Sequence, residues 1–282
     1  MATAANLAQD LLISLSPATL FKRLVLHPRT LEQAEPSAWQ HRALRRRKRT
    51  DTPYQLYLVS RQGGKSSTAA CKVLHTALTR PRSTSILVSP SLQQSREIFK
   101  KVADYYHLLG RPLGTTSEST ERLELSNGAR VISLPGSART VQGYTANVVV
   151  FDESHDVSDE LFETVLPMVS VTAGEIVAVG TARRVSGWFY SACMEPDVFG
   201  WEMFRVPASE CPHIPQDLIE AWRFSRGEAF VRREFFCEFQ GADELFFDPD
   251  SVDKMLAIYD TSRPPRFPES CYDTEEDLYA AS

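Results

Sequence analysis

Residues 57–67 read YLVSRQGGKSS. A short apolar run meets a polar stretch that holds Gly63 and Gly64, then Lys65, Ser66 and Ser67. A phosphate-binding loop needs a strand, a turn whose backbone N–H groups face inward, and a helix whose N-terminus faces the anion. Gly63 and Gly64 allow close backbone approach, Lys65 supplies a positive charge, and the Ser66 hydroxyl suits Mg²⁺. The glycine that opens such loops is missing: Val59 and Ser60 stand there. That glycine only eases a tight turn, so a small Ser60 serves. Gly-Lys-Ser also arises by chance in turns, and the reading needs a second half.

The second half is VVVFDE, residues 148–153. Four apolar residues end in two carboxylates, which are costly at the tip of a buried strand unless they have partners or chemistry. Asp152 is expected to hold Mg²⁺ through water and Glu153 to polarise an attacking water. The two motifs lie in one pattern of alternating strands and helices. Strands are predicted over 57–60, 85–89, 147–152 and 175–182, and helices over 66–79, 91–109 and 158–169. Ser158 with acidic residues after it opens the last of these. RLELS-NG-ARVISL (122–134) carries a hairpin signature around Asn127-Gly128. An edge strand is expected over 201–207 and helical structure over 215–239 with a break at Gly227. The fold expected is therefore α/β: a mostly parallel sheet flanked by helices, of the P-loop NTPase (ASCE) type.

Three regions are expected. Residues 1–50 form a helical lead-in ending in the basic run RALRRRKR (42–49), either a solvated face or a DNA or partner contact. Residues 51–247 form the P-loop domain, and 248–282 an irregular acidic tail. The 282 residues carry a net charge of −5 with 43% hydrophobic and 24% charged residues, so any nucleic-acid contact must come from a local patch. Five cysteines, at 71, 193, 211, 237 and 271, form no CxxC pair, which argues against a zinc site or a disulfide framework. No signal-peptide pattern opens the chain and no apolar run is long enough to span a membrane, so no membrane partner is expected.

SRQGGKS with VVVFDESHDV resembles the Walker A and Walker B motifs of the large terminase subunit of tailed bacteriophages. Trp39-Gln40 is similar to that family's adenine-recognition motif, Gly180-Thr181-Ala182 to its coupling motif, and REFFCEFQGADELFF (233–247) to the signature that closes its ATPase domain. The resemblance covers roughly residues 36–247. It implies an ATP-hydrolysing motor that drives double-stranded DNA into a procapsid in the host cytoplasm. The nucleotide would contact Trp39, Gln40 and the loop residues Ser60, Arg61, Gln62, Gly63, Gly64, Lys65, Ser66 and Ser67. Ser66 and Asp152 would hold Mg²⁺, and Glu153, Arg61, Arg139 and Thr181 would be catalytic. Several of these have plain alternatives: Trp39 as core, Arg61 as a surface ion pair, Arg139 as a solvated loop residue, Thr181 as a strand end. His155 reads as structural rather than as a ligand.

Full-length members of that family resemble two-domain proteins with a nuclease after the ATPase. Only 30 residues follow FFDPDSV here, so nuclease activity is not expected, and a split subunit, a truncated chain and a prophage remnant all fit. Implied partners are DNA, a portal protein, a small terminase subunit, a separate nuclease subunit and further copies of the chain in a ring. Two rival readings stand: a P-loop helicase or translocase, and a non-catalytic DNA-binding assembly subunit that kept its P-loop.

Overall fold

The computed structural model describes residues 16–27, 30–45 and 51–240. Eight strands form one sheet: β1 (Tyr54–Val59), β2 (Thr84–Ser89), β3 (Thr115–Glu118), β4 (Arg122–Leu125), β5 (Arg130–Pro135), β6 (Val148–Phe151), β7 (Glu175–Gly180) and β8 (Trp201–Val206). Their order is β3-β4-β5-β2-β6-β7-β1-β8. The six strands from β5 to β8 in that order are all parallel to their neighbours, and only β3 and β4 are antiparallel additions. The strand feeding Gly63-Gly64 and the strand ending in Asp152-Glu153 are therefore separated by one strand, β7. That is the ASCE arrangement.

The central strands are buried on both faces, so they read as continuous apolar runs rather than alternating ones. Side chains on one face (Tyr57, Val59, Leu87, Val150, Val177, Val179) pack with the helices Lys65–Thr79 and Leu92–Leu108. Those on the other (Leu56, Leu58, Ile86, Val149, Phe151, Ile176) pack under the helix Asp159–Ser170 and the short helix Trp188–Met194. The Ser158 hydroxyl accepts from Leu161 N at 3.3 Å and caps the former helix, as its sequence predicts.

The lead-in forms two helices, Pro17–Leu24 and Ala38–Ala43. They pack on the P-loop helix and β8 in the same compact unit as the sheet, which extends to Gln240. A polar network ties this end together. Lys72 Nζ, buried, donates to Gln55 Oε1 at 2.7 Å and lies 2.7 Å from Glu175 Oε2.

The hairpin around Asn127-Gly128, the edge strand β8 and the Gly227 break between helices Gln216–Arg226 and Glu228–Phe235 match the sequence expectations. Two differences stand out. β1 starts three residues earlier than expected, at Tyr54, and ends at Val59, so Ser60 belongs to the loop. β3 was not anticipated: its sequence TTSE is polar and fully exposed, because an outermost strand need bury no apolar face. The end of the basic run and everything after Gln240, including the tail, lie outside the described residues.

Candidate functional site

The register of the parallel strands decides which side chains can meet. Leu58 of β1 lies beside Gly180 of β7, Phe151 of β6 beside Ala178 of β7, and Val88 of β2 beside Phe151. The loop after β1, Asp152-Glu153 after β6 and Thr181 after β7 therefore emerge at one end of the sheet, outside the carboxyl ends of the strands.

The loop is held from several sides. Ser60 N donates to Val206 O at 2.8 Å, Arg61 N to Glu234 O at 2.7 Å, and Gly63 N to Ser60 O at 2.9 Å. Gly63 has no room for a side chain, since a Cβ there would lie 2.6 Å from Val59 Cγ1 and 3.0 Å from Ser60 O. Gly64 adopts φ +86°, a left-handed conformation that glycine tolerates, and starts the helix Lys65–Thr79. The first N–H groups of that helix have no partner within it and carry its positive dipole end, next to Lys65 and Ser66.

Gln40 reaches the loop from the lead-in. Its Oε1 accepts from Ser37 N at 2.9 Å, and its Nε2 donates to Thr68 Oγ1 at 3.1 Å. The Thr68 hydroxyl in turn donates to Gly64 O at 2.9 Å. A cavity of about 920 Å³ opens here. Trp39, Gln40, Gln62 and Gly63 to Ser67 line it, together with Val25 to His27 and Gln33 to Ser37 from the lead-in, Lys101, and Glu210 to His213. Trp39 is only 7% exposed and packs edge-on to Tyr57 at 5.5 Å between ring centroids, so most of its surface belongs to the core.

Asp152 N donates to Val88 O at 2.8 Å, anchoring the first carboxylate to the sheet. Burial pushes the Asp152 carboxyl above the ordinary carboxylate range, while Lys65, then a hydrogen bond from the Glu153 backbone, then Lys101 pull it down. The protein thus leaves this charge under-compensated. The Ser66 hydroxyl and the Asp152 carboxylate are hard oxygen donors, a set that fits Mg²⁺. Among the described residues no group of three or more His, Cys, Asp or Glu is arranged to hold a metal alone. Mg²⁺ characteristically takes only one or two protein oxygens and fills its shell with phosphate and water.

Glu153 has φ +51° and ψ +45°, left-handed values that cost a non-glycine residue strain. Its neighbour His155 is buried, and His155 Nδ1 accepts from Thr181 N at 3.4 Å. Burial lowers the His155 pKa, against the pull of Glu153 and Asp156. Arg61 pairs with Glu234 Oε2 at 3.5 Å and is half exposed. Arg139 lies exposed on the four-residue helix Ala138–Val141 and is not among the residues lining the cavity. Asp152, Glu153 and Thr181 are also outside that lining, at the strand ends beside it.

Sequence reasoning did not single out Glu234, which holds Arg61 through both its backbone and its carboxylate, or His213, whose Nε2 lies 2.8 Å from Gln62 O. The first was visible only as part of the 233–247 signature. The second carried no signal, since a lone histidine in a loop has no pattern.

A profile of the family described as "Terminase large subunit, T4likevirus-type, N-terminal" matches residues 56–258. The large terminase subunits of Thermus phage G20c and Thermus virus P23-45 are each 24% identical over 163 residues, which is 51% of this chain and 33% of theirs. The chain thus spans about a third of the length of these relatives. Among solved structures, the ATPase domain of the Thermus phage P74-26 large terminase superposes with TM-score 0.58 at 18% identity, covering 73% of this chain and 99% of that one. The large terminase of another thermophilic bacteriophage, in complex with ADP, gives 0.57 at 12% identity, with 67% and 48% covered. At these identities the likeness is one of fold.

Proposed function

The chain belongs to the terminase large-subunit family, and from that premise we propose that it is an ATP-hydrolysing motor that moves double-stranded DNA during genome packaging. The observation that carries this reading is the register at the sheet end. It sets the loop of Gly63 to Ser66 after β1, Asp152-Glu153 after β6 and Thr181 after β7 side by side, with β7 between the two motif strands.

The residues divide the work as follows. The N-terminus of the helix Lys65–Thr79 and the loop amides bind the phosphates, and Lys65 places its charge on the β and γ oxygens. Gln40 and the lead-in segment wall the base side of the cavity. Ser66 and Asp152 would hold Mg²⁺, which when bound supplies neutralisation of the phosphate charge. Glu153 takes a proton from the attacking water, a role worth typically about 10²–10⁴-fold in rate. Thr181, one residue beyond β7, registers the γ-phosphate and passes its loss to the rest of the chain. Arg61 stabilises charge in cis when it leaves Glu234. Arg139, exposed, acts on the ATP of the next subunit in a ring. DNA, a portal protein and a small terminase subunit are the partners of this reading, and the host cytoplasm is its place.

The test is ATP hydrolysis by the purified chain with and without double-stranded DNA, beside Lys65→Ala. Turnover should fall on the order of 10²-fold or more in the variant, with weakened nucleotide binding. Unchanged turnover in Lys65→Ala would sink the phosphate-loop reading. Hydrolysis in neither protein would favour the non-catalytic assembly subunit.

A further inference from the structure

We propose that His155 is a positioning residue that ties the orientation of Glu153 to the strand end at Thr181. The inference rests on the ATPase reading above and assigns a role to a side chain that reading does not use.

The His155 side chain is 1% exposed, in the 3-10 turn Ser154–Asp156 directly after Glu153. Its two ring nitrogens face different parts of the site. Nδ1 accepts from the Thr181 amide at 3.4 Å. An acceptor nitrogen carries no proton, so in the neutral ring the one N–H lies on Nε2. Burial favours that neutral ring. Nε2 lies 3.4 Å from Glu153 Oε2 and 3.5 Å from Asp156 Oδ2. It is buried and makes no hydrogen bond of ordinary geometry. A buried donor left without an acceptor is a standing cost to the fold. A few tenths of an ångström of movement by Glu153 would satisfy it, and catalytic contacts commonly tighten once substrate is bound.

Two further features make the contact directional. Glu153 sits in a left-handed conformation, and such strain persists only where surrounding contacts over-determine it. Asp156, the competing acceptor, is also held by the loop after β7, with Arg183 3.8 Å from the same Oδ2 and Arg184 3.7 Å from Oδ1. Both arginines follow Thr181 on the loop after β7, and Arg183 N donates to Thr181 O at 2.8 Å. The single imidazole proton therefore chooses between the base and a carboxylate anchored to the Thr181 loop. A shift of that loop changes which of the two is held. The ring is then a mechanical link between the residue expected to sense the γ-phosphate and the residue expected to activate water.

The experiment separates the two nitrogens. His155→Asn keeps an acceptor near the Nδ1 position but has nothing at Nε2, whereas His155→Gln places an amide donor near Nε2. Single-turnover ATP hydrolysis and nucleotide affinity are measured for both, for His155→Ala, for Glu153→Gln and for the Glu153→Gln/His155→Ala pair. His155→Ala and His155→Asn should hydrolyse about 10–100-fold more slowly, the usual loss for an outer partner of a catalytic group, with affinity within about twofold. His155→Gln should regain most of the rate. The pair should be no slower than Glu153→Gln alone, because one interaction cannot be lost twice. NMR of ring ¹⁵N-labelled histidine in the wild-type chain should show the neutral Nε2–H tautomer. The inference is overturned by a protonated Nδ1, by equal losses in His155→Gln and His155→Asn that track thermal stability, or by additive losses in the pair. Wild-type rates in every His155 variant, where Glu153→Gln is slow, overturn this inference alone. A Glu153→Gln chain as fast as wild type overturns the assignment of the base beneath it.

Discussion

Asp152 shows how a single residue trades stability for chemistry. Its carboxyl is pushed up in the folded chain by burial, with Lys65 opposing. A carboxyl with a raised folded pKa contributes most below its unfolded pKa, and that contribution is lost as pH rises through the folded pKa. At neutral pH the charged form is therefore a net cost to the empty protein. Asp152→Asn should raise Tm at pH 7, without Mg²⁺ or nucleotide, by roughly a few degrees. The gain should disappear at pH values below the ordinary carboxylate range, where both states are protonated. Thermal scans across pH check this, and a destabilised variant at pH 7 would mean that the carboxylate is already paired. The carboxylate pair at the end of VVVF was legible in the sequence because burial and charge collide within six residues. The partners of Gln40 and Gln62 were not, because nothing in the chain near those residues marks Thr68 or His213 as their neighbours.

At the scale of elements, β7 sets the distance between the loop and the carboxylates, and its last residue explains how it is covered. A Cβ on Gly180 would lie 2.6 Å and 2.9 Å from ring atoms of Phe189 on the helix Trp188–Met194. That phenylalanine is buried against the strand end, so it has little room to yield. Gly180→Ala should lower stability by about 1–3 kcal/mol, the usual cost of overpacking, with most of it recovered on adding Phe189→Leu. Urea midpoints at constant slope measure both. A Gly180→Ala chain as stable as wild type would show that the helix slides freely on β7. The helix itself escaped the sequence reading, because seven residues are too few to display a helical period. The longer helices were read from the sequence, and Ser158 marked the start of one of them correctly.

At the scale of the molecule, the nucleotide reading predicts linkage. A ligand that binds only the folded chain adds about 2.7 kcal/mol at a hundredfold excess over Kd. For a domain of this size that corresponds to a Tm rise of roughly 5–10 °C. ADP with Mg²⁺ should give this rise in the wild-type chain and little of it in Lys65→Ala at the same concentration. An equal rise in both would place the nucleotide away from the loop. The lead-in should stiffen with the loop, since Val25 to His27 and Gln33 to Ser37 line the same cavity. No helix among the described residues is long and apolar enough to cross a membrane.

The sequence by itself determined the α/β class, the strand, loop and helix around Gly63-Gly64, the two carboxylates at a strand end and the Ser158 cap. The class lies in the alternation of apolar and amphipathic segments along the chain, and the others are written in short stretches where backbone geometry, burial and charge act locally. The tertiary structure alone decided that β7 lies between β1 and β6, that Glu234 grips Arg61 across 173 positions, and that His155 meets Thr181. Apolar runs declare that a strand is buried but not beside which strand, because any central strand satisfies the same burial. The order is chosen by how the crossover helices pack on the two faces of the sheet, and that order is what gathers the residues of the site.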